Sequence, residues 1–262
     1  MGHFNAIVFS PDDLKIIKDG PSVRRKFIDR EISQISKSYY INLIDYYKVL
    51  EQRNNYLKKT NSNNIDIIYI ETLNEQLAQY GTKIMIKRKE MINDLNKEIK
   101  KIHSLLSDKK ENLIIEYDSS VLGKKAIEYD KIKEKFINLL KNSLERDLNY
   151  KYTNIGPHRD DLSIMINDKD LKIYGSQGQI RTATLSLILG VLNLVINKLD
   201  EIPVLILDDV FSELDKKRKN LLLKFIDKIQ TFVTTTDLDG INEDILIDSS
   251  IYIVENGTIR RK

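Results

Sequence analysis

Two adjacent aspartates, Asp208 and Asp209, end an apolar run in the segment VLILDDVFSELD, residues 204–215. The run is typical of a strand buried on both faces of a parallel sheet, and ligands bind beyond the carboxyl ends of such strands. Two carboxylates this close repel each other unless they share a cation or a proton. At phosphoryl-transfer sites the cation is Mg²⁺, held through water, while a second acid orients the attacking water. An aspartate pair can equally begin a loop or cap a helix, and this segment alone favours neither interpretation.

A second segment, YGSQGQIRTATLSL at residues 174–187, places a serine and a glutamine between two glycines directly before a predicted helix. The hydroxyl and the free backbone N–H groups at a helix N-terminus form an anion site. The segment has no lysine in the position that a P-loop requires, and no G-x-x-x-x-G-K-[ST] pattern occurs anywhere in the chain. Taken alone, the segment is better interpreted as a glycine turn that caps a core helix.

The composition is that of a globular protein with one large domain or two modest ones, because 262 residues are enough for a sizeable core. The absence of cysteine excludes disulfides and thiolate metal sites and fits a reducing cytoplasm, where we expect the protein. We see no signal peptide and no apolar run near the roughly 18 residues that span a bilayer, so we expect no membrane partner.

The charge is unevenly distributed although the net charge is only +3. From Lys48 to Lys110 there are 13 Lys and Arg against 8 Asp and Glu. Such a basic segment fits an anionic partner such as nucleic acid. Charge alone nevertheless favours the simpler interpretation, a solvated helical surface.

The elements that position these residues follow from periodicity and turn signals. The middle of the chain predicts two long amphipathic helices that fold back on each other as an antiparallel arm, separated by a polar loop at residues 58–66. The final third predicts an α/β domain. The other predicted elements are a strand at 6–9, helices from Pro11 and Ser22, a strand at 113–119, a helix at 131–150, a hairpin turning at Asn167 and Asp168, a helix at 181–199, a strand at 204–207, a helix from about Leu214, a strand at 231–236 and a hairpin turning at Asn256 and Gly257.

Four segments, in this order along the chain, resemble the RecF family of DNA replication and repair ATPases, which is related to the Rad50 and SMC heads: PDDLKIIKDGPSVRRKFIDREI, NIGPHRDDL, YGSQGQIRTATLSL and LILDDVFSELDKKR. The resemblance implies an α/β ABC-ATPase-type head with an inserted α-helical arm. The family's P-loop lies ahead of the first residues here, so the resemblance also implies a head without its P-loop lobe. The implied domains are a remnant of that lobe at 1–20, the arm at 21–112, and an α/β lobe at 113–262.

The resemblance assigns roles to particular residues. Asp208 would anchor Mg²⁺ through water, and Asp209 would position or activate the attacking water. Thr234 to Thr236, at the end of the predicted strand, would occupy the switch position, where many ABC proteins have histidine, with Thr236 as the candidate catalytic residue. Ser176, Gln177, Gly178 and Gln179 would form the signature loop, which contacts the γ-phosphate of ATP on the other subunit, and Ser212 and Asp215 would bound the D-loop.

Basic clusters are the candidates for contact with DNA phosphates. Arg24 and Arg25 either contact the DNA backbone or sense nucleotide, or they pair with the neighbouring acids Asp29, Glu31 and the Asp12–Asp13 turn, and the sequence favours neither interpretation. On the arm, the candidates are Lys87, Arg88, Lys89, Lys100 and Lys101. By resemblance, the cofactors are ATP and Mg²⁺. The implied partners are double-stranded or gapped DNA, RecR, RecO and a second copy in an ATP-dependent dimer, with a link to the SOS response.

Three functional hypotheses remain open from the sequence. The first is a RecF-like ATPase whose chain alone binds little or no ATP, because the P-loop is absent. The second is a non-catalytic module that binds DNA or a partner, and the absent P-loop supports it as well. The third, an ABC transporter subunit, is disfavoured by the helical arm and the repair-type motifs.

Overall fold

The computed structural model describes residues 6–61, 64–123, 128–211, 214–239, 241, 246–247 and 249–262. Ser212 of the predicted D-loop therefore lies outside the described residues. In chain order the elements are β1 (Ala6–Phe9), a 3-10 turn (Pro11–Leu14), α1 (Lys15–Lys18), α2 (Pro21–Ile35), α3 (Lys37–Lys59), α4 (Ile67–Leu106), β2 (Leu113–Asp118), α5 (Tyr129–Asn142), α6 (Leu144–Tyr150), β3 (Asp161–Ile166), β4 (Lys169–Asp170), α7 (Leu171–Tyr174), α8 (Gln177–Leu199), β5 (Val204–Asp208), α9 (Lys216–Phe225), β6 (Thr231–Thr234), β7 (Tyr252–Glu255) and β8 (Thr258–Arg261).

A parallel sheet in the order β1-β5-β6 unites the start of the chain with its final third. Phe9 pairs with Leu207, and Asp208 pairs with Thr234. One face of the sheet is buried and contacts α8 through β1. On the opposite face Val8 and Phe232 are exposed. The predicted strand is confirmed, but β5 is buried on one face rather than on both.

The two long helices α3 and α4 pack antiparallel, as predicted. Tyr39 of α3 lies beside Arg88, and Arg53, further along α3, bonds to Asn74 near the start of α4. Buried α4 residues recur every three or four positions, which is the spacing of an amphipathic helix. Because α4 also contacts α5, α8 and β2, the arm shares one core with the α/β part. The domain bounds 1–20, 21–112 and 113–262 stay a prediction.

The predicted hairpin after residue 161 is only partly correct. β2 and β3 form an antiparallel pair, and the turn at Asn167 and Asp168 leads into the very short β4. The segment LKIY, predicted as a strand, is the helix α7. Asp170 caps this helix, because its side chain accepts hydrogen bonds from the backbone N–H groups of Lys172 and Ile173. The helix predicted at 131–150 is likewise two helices, α5 and α6.

Helix α8 runs through the centre of the core. It is long and apolar enough to cross a membrane, which corrects the expectation that no such run exists. Within its most apolar stretch 78% of the residues are buried inside the fold. A helix that is apolar all round is typical of the core of a protein as well as of a membrane span. Here its apolar surface is covered by the rest of the chain, including α4.

Candidate nucleotide site at the carboxyl edge of the parallel sheet

The aspartate pair lies where the three parallel strands end. Asp208 is exposed, and its Oδ1 accepts a hydrogen bond of 2.6 Å from Thr234 Oγ1 on the neighbouring strand. The backbone N–H of Asp209 lies 3.2 Å from the carbonyl oxygen and 3.0 Å from the hydroxyl of Thr234. This edge therefore combines an exposed carboxylate with a hydroxyl, which is a hard-oxygen set that suits Mg²⁺ held through water.

Asp209 turns the chain sharply. Its backbone is left-handed, with φ of 51°, a conformation that costs L-residues about 1–2 kcal/mol. Strained residues of this kind cluster at functional sites. The turn places Asp209 in a small pocket whose wall includes Ser10, Pro11 and Arg181. Arg181 lies on α8, shortly after the signature residues Ser176–Gln179, so the pocket joins the aspartate pair to the start of that helix.

The sequence did not identify Arg181 as a member of this edge, and it did not single out Thr234 within the run of threonines at the switch position. Arg181 lies in the same segment as the signature residues, but only the packing of α8 against β1 brings it to Asp209. Thr236, the predicted switch residue, is exposed and lies beyond the end of β6. The contact to Asp208 comes instead from Thr234. Three consecutive threonines look alike in sequence, and only the strand register distinguishes them.

The signature segment begins helix α8 in an exposed position. Ser176 is the N-cap: its hydroxyl accepts from Gln179 N at 3.2 Å, and its own N–H donates to Gln179 Oε1 at 2.9 Å. This reciprocal pair is a capping box, which fixes the direction of the first helical turn. Ser176, Gln177 and Gly178 all face solvent. The backbone N–H groups at this helix end are thus presented outward rather than toward the rest of the chain.

Neither packing nor backbone conformation within the chain requires a glycine at position 178. A Cβ atom built there would meet nothing within 4 Å, and its φ is not in the left-handed region. Glycine inside a helix costs about 1 kcal/mol relative to alanine. By contrast, a Cβ at Gly175 would lie 2.4 Å from the Leu171 carbonyl oxygen, so packing explains that glycine. Gly178 leaves room for close approach by a group from outside the chain.

A partly buried polar bridge supports the signature helix. Gln179 Nε2 donates to Glu111 at 2.9 Å, and the other Glu111 oxygen lies 3.1 Å from His103 Nε2. His103 Nδ1 is hydrogen-bonded to Ser186 of the same helix at 3.0 Å. His103 is fully buried, and burial lowers its pKa. The bridge ties the first turns of α8 to the end of α4.

The described part of the predicted D-loop caps helix α9. Asp215 accepts from Arg218 N at 2.9 Å and pairs with the Arg218 guanidinium at 2.5 Å. These bonds lower the pKa of Asp215. Arg218 also donates to the Leu106 carbonyl at 3.3 Å, and Lys217 pairs with Asp108. Asp215 is therefore engaged in its own helix, and its place at a subunit interface stays a prediction.

Two of the predicted DNA-contacting arginines are buried structural residues. Arg24 is buried and holds both Asp161 oxygens at 2.7 and 2.8 Å. Arg88 is fully buried, grips Asp29 at 2.8 Å with two nitrogens and donates to the Pro157 carbonyl. A phosphate cannot reach either side chain in this conformation, so the interpretation as DNA contacts was wrong for both. Arg24 is paired, but with Asp161 of a distant motif rather than with the neighbouring acids that the alternative named.

The remaining basic candidates differ in exposure. Arg25 is half-buried and donates to the Asp160 carbonyl at 2.7 Å. Lys89 donates to the Gly123 carbonyl, and Lys87 pairs with Glu90. Lys100 and Lys101 are exposed, and Lys101 pairs loosely with Glu98 at 3.5 Å. Of the arm candidates, Lys100 and Lys101 are the best placed for an anionic partner.

This carboxyl edge, with its strand-end aspartates, and the exposed SQGQ helix start are features of an ABC-type ATPase head. The chain is 42% identical over 261 residues to the DNA replication and repair protein RecF of Staphylococcus carnosus, and the match covers 99% of this chain and 70% of that protein. The chain is 46% identical over 262 residues to RecF of Lachnoclostridium phytofermentans, and the match covers 99% of this chain and 69% of that protein. The chain belongs to the RecF family of DNA replication and repair proteins.

Solved structures agree with this family. The recombination mediator protein RecF-ATPrS of the RecFOR pathway superimposes with a TM-score of 0.88 at 39% identity, covering 99% of this chain and 68% of that one. The RecF-ATP structure of the same pathway superimposes with a TM-score of 0.89. No protein-family model matches the chain. The predicted fold, an α/β ABC-ATPase-type head with a helical insertion, is confirmed.

Proposed function

We propose that this chain contributes to a composite ATP site in a RecF-type dimer that acts in recombinational DNA repair and replication restart. The observation that carries the proposal is the exposed Ser176–Gly178 helix start, whose N–H groups face outward and whose glycine serves no internal packing. The loop would contact the γ-phosphate of nucleotide held by the other subunit. The ATP and ATPrS complexes of RecF relatives support ATP as the ligand.

The carboxyl edge has a separate role in the same proposal. Asp208 would hold Mg²⁺ through water, and Thr234 would fix its carboxylate. Asp209 would orient the attacking water, or accept its proton. Among the residues that the structure describes, no cluster of three His, Cys, Asp or Glu side chains could hold a metal. The phosphates of the nucleotide and water would supply the remaining ligands, which is usual for Mg²⁺. Gln179 would act indirectly, by holding Ser176.

The wider proposal follows the family. We infer that the protein binds double-stranded or gapped DNA without sequence specificity, through phosphate contacts that weaken with salt. Lys100 and Lys101 are the proposed contacts. RecR and RecO are proposed partners because the solved relatives belong to the RecFOR pathway. A cytoplasmic location and an ATP-dependent homodimer belong to the same proposal, as do the roles of Ser212, Asp215 and Thr236.

The experiment uses full-length Staphylococcus carnosus RecF as the nucleotide-holding subunit. We expect this chain to stimulate ATP hydrolysis by a limiting amount of that protein. Ser176→Arg should abolish the stimulation, because the longer charged side chain fills the loop. Ser38→Arg, at the exposed start of α3, is the matched control and should leave it unchanged. Asp208→Ala in this chain should leave it unchanged too, if only the signature loop acts in trans.

The outcomes separate the hypotheses. Equal stimulation by wild type and Ser176→Arg would refute the composite site. Salt-sensitive DNA binding with no effect on hydrolysis would instead favour the second candidate, a non-catalytic binding module, for which the absent G-x-x-x-x-G-K-[ST] pattern is the supporting observation. Tight Mg²⁺-dependent ATP binding by this chain alone, lost in Asp208→Ala, would mean that the chain carries a phosphate cradle of another kind.

A further inference from the structure

A group of stacked aromatic and basic side chains lies at the end of α6, in a part of the fold to which no role has been given. The rings of Tyr150 and Tyr152 have centroids 5.8 Å apart. The guanidinium of Arg146 lies 5.7 Å from the Tyr150 ring, and that of Arg159 lies 4.6 Å from the Tyr152 ring. We call these four residues the Tyr–Arg ladder. Two cations and two rings are thus held together at one surface.

The ladder is exposed. Tyr150 is 56% and Tyr152 is 38% accessible, and both arginines face solvent. In the described parts of the chain a third cation–ring contact, Arg30 over Phe27, involves a ring that is buried in the core. Exposed aromatic rings contribute little to stability compared with the same rings in a core. Fold stabilisation is therefore a weak explanation for two adjacent tyrosines at this position.

The backbone beneath the ladder is rigidly anchored. Thr153, directly after Tyr152, is buried and accepts a hydrogen bond from the buried Arg53. Asn154 binds the fully buried Asp147 through its backbone and its side chain. Between the two tyrosines, Lys151 donates to the Thr60 carbonyl at 3.0 Å. Because these bonds fix the backbone before any ligand arrives, the rings lose less conformational freedom when they bind one.

Rings and guanidinium groups in one exposed cluster suit the chemistry of unpaired nucleotides. Every base offers a π-face to an aromatic ring, and stacking on such rings is tolerant of sequence. Guanidinium groups stack on bases and bind phosphates with two parallel hydrogen bonds. Double-stranded DNA offers phosphates and groove edges but no free base face on which a ring could stack, because its bases are already stacked on one another. The aromatic part of the ladder therefore distinguishes single strands from duplexes.

We propose that the Tyr–Arg ladder binds single-stranded DNA by stacking unpaired bases on Tyr150 and Tyr152, while Arg146 and Arg159 contact the phosphates. The inference rests on the proposed function in one respect, that DNA is the ligand. It does not require ATP or the carboxyl edge. In gapped DNA the ladder would engage the unpaired strand, and Lys100 and Lys101 would engage the duplex.

The test measures fluorescence anisotropy of fluorescein-labelled oligothymidylate of about 15 nucleotides, which is near the upper end of known single-strand site sizes. A blunt duplex of the same length is measured beside it, and both are measured without nucleotide. The double variant Tyr150→Leu, Tyr152→Leu should bind oligothymidylate at least about tenfold more weakly. It should bind the duplex within about twofold of wild type, because its basic residues are unchanged.

Two controls keep the test decisive. Tyr150→Phe with Tyr152→Phe keeps the rings and should bind oligothymidylate as wild type does. Tyr252→Leu removes an equally exposed tyrosine from the β7–β8 hairpin and should have no effect. Circular dichroism establishes that each variant is folded. If a folded leucine variant binds oligothymidylate as tightly as wild type, the proposal is wrong.

Other results would also overturn the proposal. An equal loss of single-strand and duplex binding would mean that the tyrosines act through the fold or through charge. Tyrosine-dependent binding of a poly-glutamate peptide, with no binding of oligothymidylate, would assign the ladder to an acidic protein instead. Failure of the hydrolysis experiment leaves the measurement intact, since no nucleotide is present. Conversely, if the proposal for the Tyr–Arg ladder is wrong, the proposal of a composite ATP site is not affected.

Discussion

Charged side chains have different roles in two regions of the molecule. Where α2, α4 and the turn at residues 156–161 meet, buried arginines are paired with aspartates, as in Arg24 with Asp161 and Arg88 with Asp29. At the carboxyl edge, Asp208 is exposed and faces a hydroxyl rather than a cation. In the first region the protein satisfies its own charges, whereas in the second a carboxylate is left accessible to a ligand.

The comparison shows that burial, rather than the presence of charge, separates the structural motifs of this family member from its candidate chemistry. A buried arginine that is paired with a carboxylate is not accessible to a phosphate. An exposed carboxylate next to a threonine has capacity left for a hydrated metal. Motifs rich in charge can therefore belong to the scaffold, and their loss should appear in stability before it appears in activity.

Arg88→Ala gives the largest expected effect. Removing this arginine leaves Asp29 and the Pro157 carbonyl buried without their cation, and breaking a buried pair from one side costs about 3–5 kcal/mol. Chemical denaturation should show a loss of that size in the free energy of unfolding. Lys100→Ala, on the exposed face of the same helix, is the control and should change stability by less than about 0.5 kcal/mol. If the Arg88→Ala protein were as stable as wild type but bound DNA more weakly, Arg88 would have to be counted as a DNA contact after all.

The turn at residues 156–161 allows a second test, because two buried groups there respond to pH with opposite sign. Burial lowers the pKa of His158 to about 4 and raises the pKa of Asp160 to about 6. His158 thus contributes stability that is present above its unfolded pKa of about 6.5 and is lost as the pH falls through 4. Asp160 contributes stability that is present below its unfolded pKa of about 3.9 and is lost as the pH rises through 6.

Single substitutions should separate these two contributions. Between about pH 6.5 and 4, His158→Gln should become more stable relative to wild type as the pH falls, by up to about 2 kcal/mol. Asp160→Asn should become less stable relative to wild type over the same interval, by a similar amount. Urea denaturation at several pH values measures both differences. Parallel curves for all three proteins would show that neither group is perturbed by burial, and the contrast between the two regions would weaken.

The sequence predicted the carboxyl edge well because its signals are local. A run of apolar residues followed by Asp208 and Asp209 specifies both a strand and its end, and Ser176 with Gln179 specifies a helix start. Parallel strands bring their carboxyl ends to one edge of a sheet, so the pattern predicts that Asp208 and Asp209 lie at that edge, and the pairing of Asp208 with Thr234 in the structure places them there. Even the closing hairpin followed from Asn256 and Gly257, which both adopt positive φ at the turn.

The sequence could not predict the long-range pairings. Arg24 lies 137 residues from Asp161, and Arg88 lies 59 residues from Asp29, so nothing local distinguishes these buried arginines from surface ones. A run such as Lys87, Arg88 and Lys89 resembles one basic patch, yet on a helix its members face different directions and only Arg88 points into the core. The choice of Thr234 over Thr236 depended on strand register, which a run of threonines does not encode.

Gly178→Ala gives the smallest expected effect on stability. It tests directly whether the signature loop at the start of α8 is accessible to an outside ligand. Since a Cβ there meets nothing within 4 Å, alanine should raise stability through its better helix propensity, by less than the ~1 kcal/mol of a helix interior because Gly178 is in the first turn. The stimulation of hydrolysis in trans should fall, because the added methyl group stands where an outside phosphate would approach. Gly190→Ala on the same helix is the matched comparison: its Cβ would lie 2.7 Å from an Ile99 methyl group, so thermal denaturation should show a loss of stability. A Gly178→Ala protein that is less stable than wild type would mean that this glycine serves the fold. Gly178 would then no longer be evidence that an outside ligand approaches the start of α8.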